Sequence, residues 1–95
     1  DICIFATGSK AFVLPIEGSN LPSVIGWRTI QDTEQIIDIA SKKKKAIVIG
    51  GGLLGLECAR GLLDQGMDVT VLHLAEWLME MQLDRKAGDM LKSKA

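Results

Sequence analysis

The residues best suited to chemistry in this 95-residue sequence are the cluster Gly50-Gly51-Gly52-Leu53-Leu54-Gly55, the carboxylate Glu57 just after it, and the single histidine, His73. The glycines have the spacing Gly-x-Gly-x-x-Gly. In that pattern Gly50 permits a tight turn, Gly52 lets the main chain approach a pyrophosphate closely, and Gly55 lets a helix pack on the strand before it. The first N–H groups of that helix would face the phosphates, with the positive end of the helix dipole behind them. Such a turn means little alone, because glycine-rich βα turns also occur in α/β proteins that bind no nucleotide.

The elements around the cluster strengthen it. Ala46-Ile47-Val48-Ile49 is a β-branched run leading into the glycines. Leu53, Leu56, Leu62 and Leu63, with Cys58 and Ala59 between them, then predict a helix that stops at Gly66, and Val69-Thr70-Val71-Leu72 predicts a second strand. Strand, glycine turn, helix and strand in that order form the βαβ context that a dinucleotide-binding site requires. The expected fold class is α/β, a partial Rossmann-like parallel sheet with a right-handed crossover.

The flanks read more simply. Ile2 to Ala6 is a short apolar run ending at Thr7-Gly8-Ser9, which predicts a buried strand and a turn. Pro15, Gly18, Pro22 and Gly26 break any helical period up to Trp27, so an extended connector is expected. Thr29 with Asp32 resembles a capping box before a helix over Gln31 to Ser41, with Ile36, Ile37, Ile39 and Ala40 as its apolar face. Near the other end Asp84 is placed to cap a last helix whose apolar face is Leu83, Ala87, Met90 and Leu91.

Composition excludes several classes. Eleven Lys and Arg against twelve Asp and Glu give a formal charge of -1, which offers no basic surface for nucleic acid or an anionic membrane. The lysine run Lys42 to Lys45 is read as the solvated end of a helix, where cations are favourable. The apolar stretch Ala46 to Leu56 is about half a membrane span and rich in glycine. Asp1 to Phe5 lacks the basic region and cleavage site of an export signal. The absence of an initiator Met suggests a fragment of a longer protein. Cys3 and Cys58 stand far apart with no Cys-x-x-Cys or Cys/His cluster, so no disulfide framework or metal site is expected. They read as small core residues in a reducing, cytoplasmic setting. With one His and no Tyr, general acid–base chemistry has few candidates, so a cofactor would carry most of any chemistry.

At this point the chain resembles the pyridine nucleotide–disulfide oxidoreductase superfamily, flavoproteins with two dinucleotide-binding domains. The Ala6-Thr7-Gly8 segment, the Pro15-Ile16-Glu17-Gly18 turn and Leu21-Pro22 match the junction where the NAD(P) domain is inserted after the first part of the FAD domain. The resemblance implies that residues 1–28 end the FAD-domain segment and residues 29–95 begin the NAD(P) domain. It implies NAD(P)H and FAD as cofactors, with Thr7 and Gly8 at the flavin side.

A narrower resemblance is to the large-subunit family of assimilatory NAD(P)H-dependent nitrite reductases. It is carried by Gly50 to Glu57, by Val71-Leu72-His73-Leu74, and by Trp77-Leu78-Met79-Glu80 with Gln82-Leu83-Asp84. That family implies hydride transfer from NAD(P)H to FAD and onward electron flow to an iron–sulfur and sirohaem centre. Rubredoxin and ferredoxin reductases, and a non-catalytic NAD(H)-sensing module, remain as alternatives.

Within the resemblance, Gly50, Gly51, Gly52, Leu53, Leu54 and Gly55 are expected to bind cofactor. Glu57 has two readings: a carboxylate favoured by the helix dipole, or a contact near the nicotinamide end. His73 stands where the fingerprint has an acid that binds the adenosine ribose, so it is either a contact at the adenosine end or an exposed loop histidine. No residue is assigned as catalytic. The partner expected is the dinucleotide, and the fragment alone is expected to self-associate.

Overall fold

A computed structural model describes all of residues 1–95, and they divide into two compact units, residues 1–36 and 37–95. In the first unit residues 1–15 carry no regular secondary structure, followed by successive turns through Ser23. The strand expected over Ile2 to Ala6 does not form: Ile2 is 93% and Phe5 89% exposed. A strand needs a neighbour for its N–H and C=O groups, and this unit contains no other strand to supply one. Cys3 is exposed as well, so it is not a core residue.

Helix α1 spans Ile30–Ala40 and begins as its sequence predicts. The Asp32 carboxylate accepts from the N–H groups of Thr29 and Arg28, both at 2.9 Å, and the Thr29 hydroxyl accepts from the Asp32 N–H at 3.1 Å. Those backbone donors, Thr29 first and then Arg28, hold the Asp32 carboxyl below the usual range for Asp. A depressed folded-state value makes the cap fully effective above the unfolded-state value and removes it as pH falls through the folded one. The first turn of α1 is therefore expected to fray in acid, below the ordinary Asp range. Amide resonances of Arg28 and Thr29 that stay fixed through that range would contradict this. Along the helix Ala40 is buried and Ile36 and Ile39 are half-buried, whereas Ile37 faces solvent, so the apolar face is narrower than expected.

The second unit is built on strands β1, Lys45–Ile49, and β2, Asp68–Leu72, joined by helix α2, Leu53–Asp64. The strands pair in parallel, Lys45 opposite Asp68 through Ile49 opposite Leu72. The Gly50 N–H to Leu72 C=O bond at 2.8 Å extends the ladder by one residue. Parallel pairing follows from the intervening helix, since two parallel strands need a crossover. Side chains alternate. Ala46, Val48, Val69 and Val71 are half-buried or buried, and α2 packs on both strands; Ile47, Ile49, Thr70 and Leu72 are exposed.

On α2, Gly55, Ala59 and Leu62 lie at i, i+4 and i+7, one helical stripe, and the last two are buried. The helix ends in a Schellman arrangement. Gly66, at φ +80°, donates to the Leu63 carbonyl at 2.8 Å, and Met67 donates to the Leu62 carbonyl at 3.1 Å while its side chain is buried.

Helix α3, Arg85–Lys94, starts at Asp84, whose carboxylate accepts from the Ala87 N–H at 2.9 Å, as expected. Its inner face differs from the predicted one. Met90 is exposed and Gly88 is buried, because the Trp77 ring lies where a Gly88 Cβ would stand, with Trp77 Cδ1 only 2.5 Å from that position.

Candidate functional site

The chain leaves β1 through Gly50, whose φ of +114° only glycine adopts without strain. Gly52 is then the N-cap of α2, extended at φ -81° and ψ -174°, and no side chain caps the helix there. The first turn of α2 therefore presents main-chain N–H groups without an intrahelical partner and without a capping side chain. No acidic side chain lies in that first turn. A Cβ built on Gly52 would meet nothing within 4 Å, so the space above the turn is open. On the other side a Cβ on Gly55 would fall on the Gly50 carbonyl oxygen, with the carbonyl carbon at 2.9 Å. The third glycine is thus what allows the helix to sit this close to the turn.

Leu53 and Leu54 are 52% and 63% exposed at the start of α2. Glu57, one turn on, is exposed. Cys58 is half-buried on α2, and burial pushes its thiol up, which keeps it protonated and a poor nucleophile. Thr7 and Gly8 belong to the first unit, where Thr7 is exposed and Gly8 turns the chain at φ +71°.

His73 follows β2 and its side chain is 14% exposed, not a free loop residue. The Gly51 N–H donates to its Nδ1 at 2.9 Å, while Nε2 lies 2.8 Å from the Trp77 carbonyl and 3.0 Å from a Glu80 carboxylate oxygen. Both ring nitrogens are engaged within the chain. A bond from either to a ribose hydroxyl would have to displace one of these. Residues 74–83 carried part of the resemblance in the sequence, but their packing onto the glycine turn was not foreseen. Leu78 packs against Gly51, the Met79 N–H donates to the Gly51 carbonyl at 3.0 Å, and Trp77 Nε1 donates to the Leu83 carbonyl at 2.9 Å. Trp77 could have signalled this packing, since a tryptophan buries an apolar ring and needs one acceptor for its N–H.

No three His, Cys, Asp or Glu side chains come together in a way that could hold a metal ion, and no helix is long and apolar enough to cross a membrane. An open hollow of about 330 Å³ beside His73, walled by Leu56, Val71, Trp77 and Lys92 among others, does not include the glycine turn. The arrangement at the turn can do one thing well: receive an anion on uncompensated main-chain donors at a helix N-terminus.

The chain is 55% identical over 93 residues to a nitrite reductase [NAD(P)H] of Bacillus subtilis (strain 168), covering 98% of this chain and 12% of that protein. It is 42% identical over 94 residues to the nitrite reductase (NADH) large subunit of Escherichia coli (strain K12), covering 99% of this chain and 11% of the relative. It is 35% identical over 92 residues to the ferredoxin--NAD(+) reductase subunit of the benzene 1,2-dioxygenase system of Pseudomonas putida, covering 97% of this chain and 22% of the relative. The chain thus spans about an eighth of the first of these proteins. No solved structure gives a significant match. The family model for pyridine nucleotide-disulphide oxidoreductases matches residues 1–95, with the Gly50–Gly55 turn inside the match, and the chain belongs to that family.

Proposed function

We propose that this chain is the NAD(P)H-binding segment of a longer flavin-dependent oxidoreductase. The observation that carries the reading is the uncapped N-terminus of α2 above Gly52, with open space where a Cβ would intrude. When bound, NAD(P)H supplies a hydride and FAD accepts it. This chain's residues bind and orient. The N–H groups at Gly52, Leu53 and Leu54 receive the pyrophosphate, and Gly50 and Gly55 shape the turn that presents them. The exposed faces of Leu53 and Leu54 cover the dinucleotide, and Glu57, one turn deeper, contacts its nicotinamide end. Thr7 and Gly8 would stand at the flavin side. Rate enhancement from such a segment is positional and electrostatic.

We further propose that the electrons serve the reduction of nitrite to ammonia in a cytoplasmic enzyme. The nitrite reductases are more similar to this chain than the ferredoxin reductase is, which ranks another electron acceptor second. Sirohaem and an iron–sulfur cluster do not fit here: the chain has two cysteines, one in each unit. Their ligands would lie elsewhere in the enzyme. Anaerobic mixing of the full-length protein with NADH or NADPH tests the reading. Bleaching of the flavin, reversed by nitrite, is expected. A flavin that neither nucleotide reduces would overturn it.

The sheet supports the idea of a longer protein. Parallel sheets are ordinarily covered on both faces, yet here Ile47 is 67% and Ile49 60% exposed beside Leu72. The isolated 95-residue chain is expected to associate through this face. Sedimentation that shows a compact monomer at all concentrations would contradict that.

A further inference from the structure

Gly51, the middle glycine, is held at both of its polar groups. Its N–H donates to His73 Nδ1 at 2.9 Å, and its carbonyl accepts from the Met79 N–H at 3.0 Å. A Cβ at Gly51 would stand 2.6 Å from Leu78 Cδ2 and 2.8 Å from His73 Cγ, so the segment after β2 is pressed directly onto this residue. Met79 takes a φ of +55° where it donates, a conformation that non-glycine residues adopt only when their surroundings enforce it. The surroundings are present. The Glu76 carboxylate pairs with Arg85 at 2.8 Å, and Trp77 is fixed against Gly88 and the Leu83 carbonyl.

An Nδ1 that accepts from a main-chain N–H carries a lone pair, so the ring proton sits on Nε2. Both atoms facing Nε2, the Trp77 carbonyl oxygen at 2.8 Å and a Glu80 carboxylate oxygen at 3.0 Å, are acceptors that select that tautomer. We propose that His73 is a positioning residue for the phosphate-binding turn. Its Nδ1 lone pair holds the Gly51 N–H, and Glu80 with the Trp77 carbonyl fixes the tautomer that can do so. Resting on the dinucleotide reading above, this gives the single histidine a role through the main chain. The turn is ordered before the nucleotide arrives, so binding does not have to order it.

Asparagine and glutamine separate this from simple packing. The side-chain oxygen of Asn can stand where Nδ1 stands, whereas the amide of Gln lies nearer the position of Nε2. In the full-length protein His73→Asn is expected to hold the NADH dissociation constant within about threefold. His73→Gln and His73→Leu are expected to raise it about tenfold, the scale of one lost hydrogen bond to the turn. Long-range ¹H–¹⁵N correlation of the imidazole in the unaltered protein at neutral pH is expected to show a protonated Nε2 and a bare Nδ1. Equal losses in the Asn and Gln variants, or a ring protonated at Nδ1, would overturn the proposal while leaving the dinucleotide reading standing. Failure of the unaltered protein to bind either NADH or NADPH would overturn the dinucleotide reading and this inference with it.

Discussion

Gly55→Ala is expected to destabilise the second unit by about 2–3 kcal/mol, even though alanine is the better helix former. Two effects oppose each other. In a helix interior, Gly to Ala contributes up to about 1 kcal/mol in favour of the variant. Against it, the new Cβ would land on the Gly50 carbonyl oxygen and lie 2.9 Å from its carbon. Those are backbone atoms of a turn that also donates into the ladder through Gly50, so they cannot swing aside as the tip of a side chain would. Relief requires α2 to move off β1, which loosens Ala59 and Leu62 in a core that has few buried side chains to spare.

Gly61→Ala is the matched control. It lies in the same helix, and nothing stands within 4 Å of its Cβ position, so only the propensity effect remains and the variant is expected to gain up to about 1 kcal/mol. Urea unfolding followed through Trp77 emission in a Trp27→Phe background reads both. Two variants that shift the midpoint in the same direction would show that the close approach at Gly55 is not what sets the βα turn.

The parts of the fold legible in the sequence are those with local causes. The capping residues Thr29, Asp32 and Asp84, the stop at Gly66, and the βαβ order around Gly50–Gly55 each depend on residues within a few positions of one another. The parts that were missed depend on what lies across space. Ile2 to Ala6 has the composition of a strand, but composition cannot supply a neighbouring strand to pair with. Met90 fits a helical apolar stripe, yet Gly88 is the residue that turns inward, because α3 meets a tryptophan ring that leaves no room for a side chain.

The candidate site divides in the same way. The roles of Gly50 and Gly55 follow from motif spacing, and φ +114° at Gly50 and the near-contact at Gly55 show why glycine is required there. His73 was visible as a residue at the end of β2, but its direction was not. Reading the sequence alone, the ring faces a ribose or solvent; in the structure it faces Gly51, Trp77 and Glu80. A segment without regular secondary structure, residues 73–84, determines that direction, and no periodicity announces such a segment.

The central claim is that the main chain at Gly52 receives the dinucleotide pyrophosphate. Gly52→Val isolates it, because a Cβ there meets nothing within 4 Å and the φ of -81° and ψ of -174° are extended backbone that valine adopts without strain. What the branched side chain does fill is the open space above the turn, where the proposed function puts the phosphates. Blocking it removes charge-assisted N–H contacts and is expected to weaken binding by about 2–4 kcal/mol. The decisive measurement is the dissociation constant for NADH in the full-length protein and in its Gly52→Val variant, with unfolding curves to confirm that both are equally folded. A constant raised by about 30-fold or more at equal stability is the result predicted here; an unchanged constant in a folded variant would contradict the account.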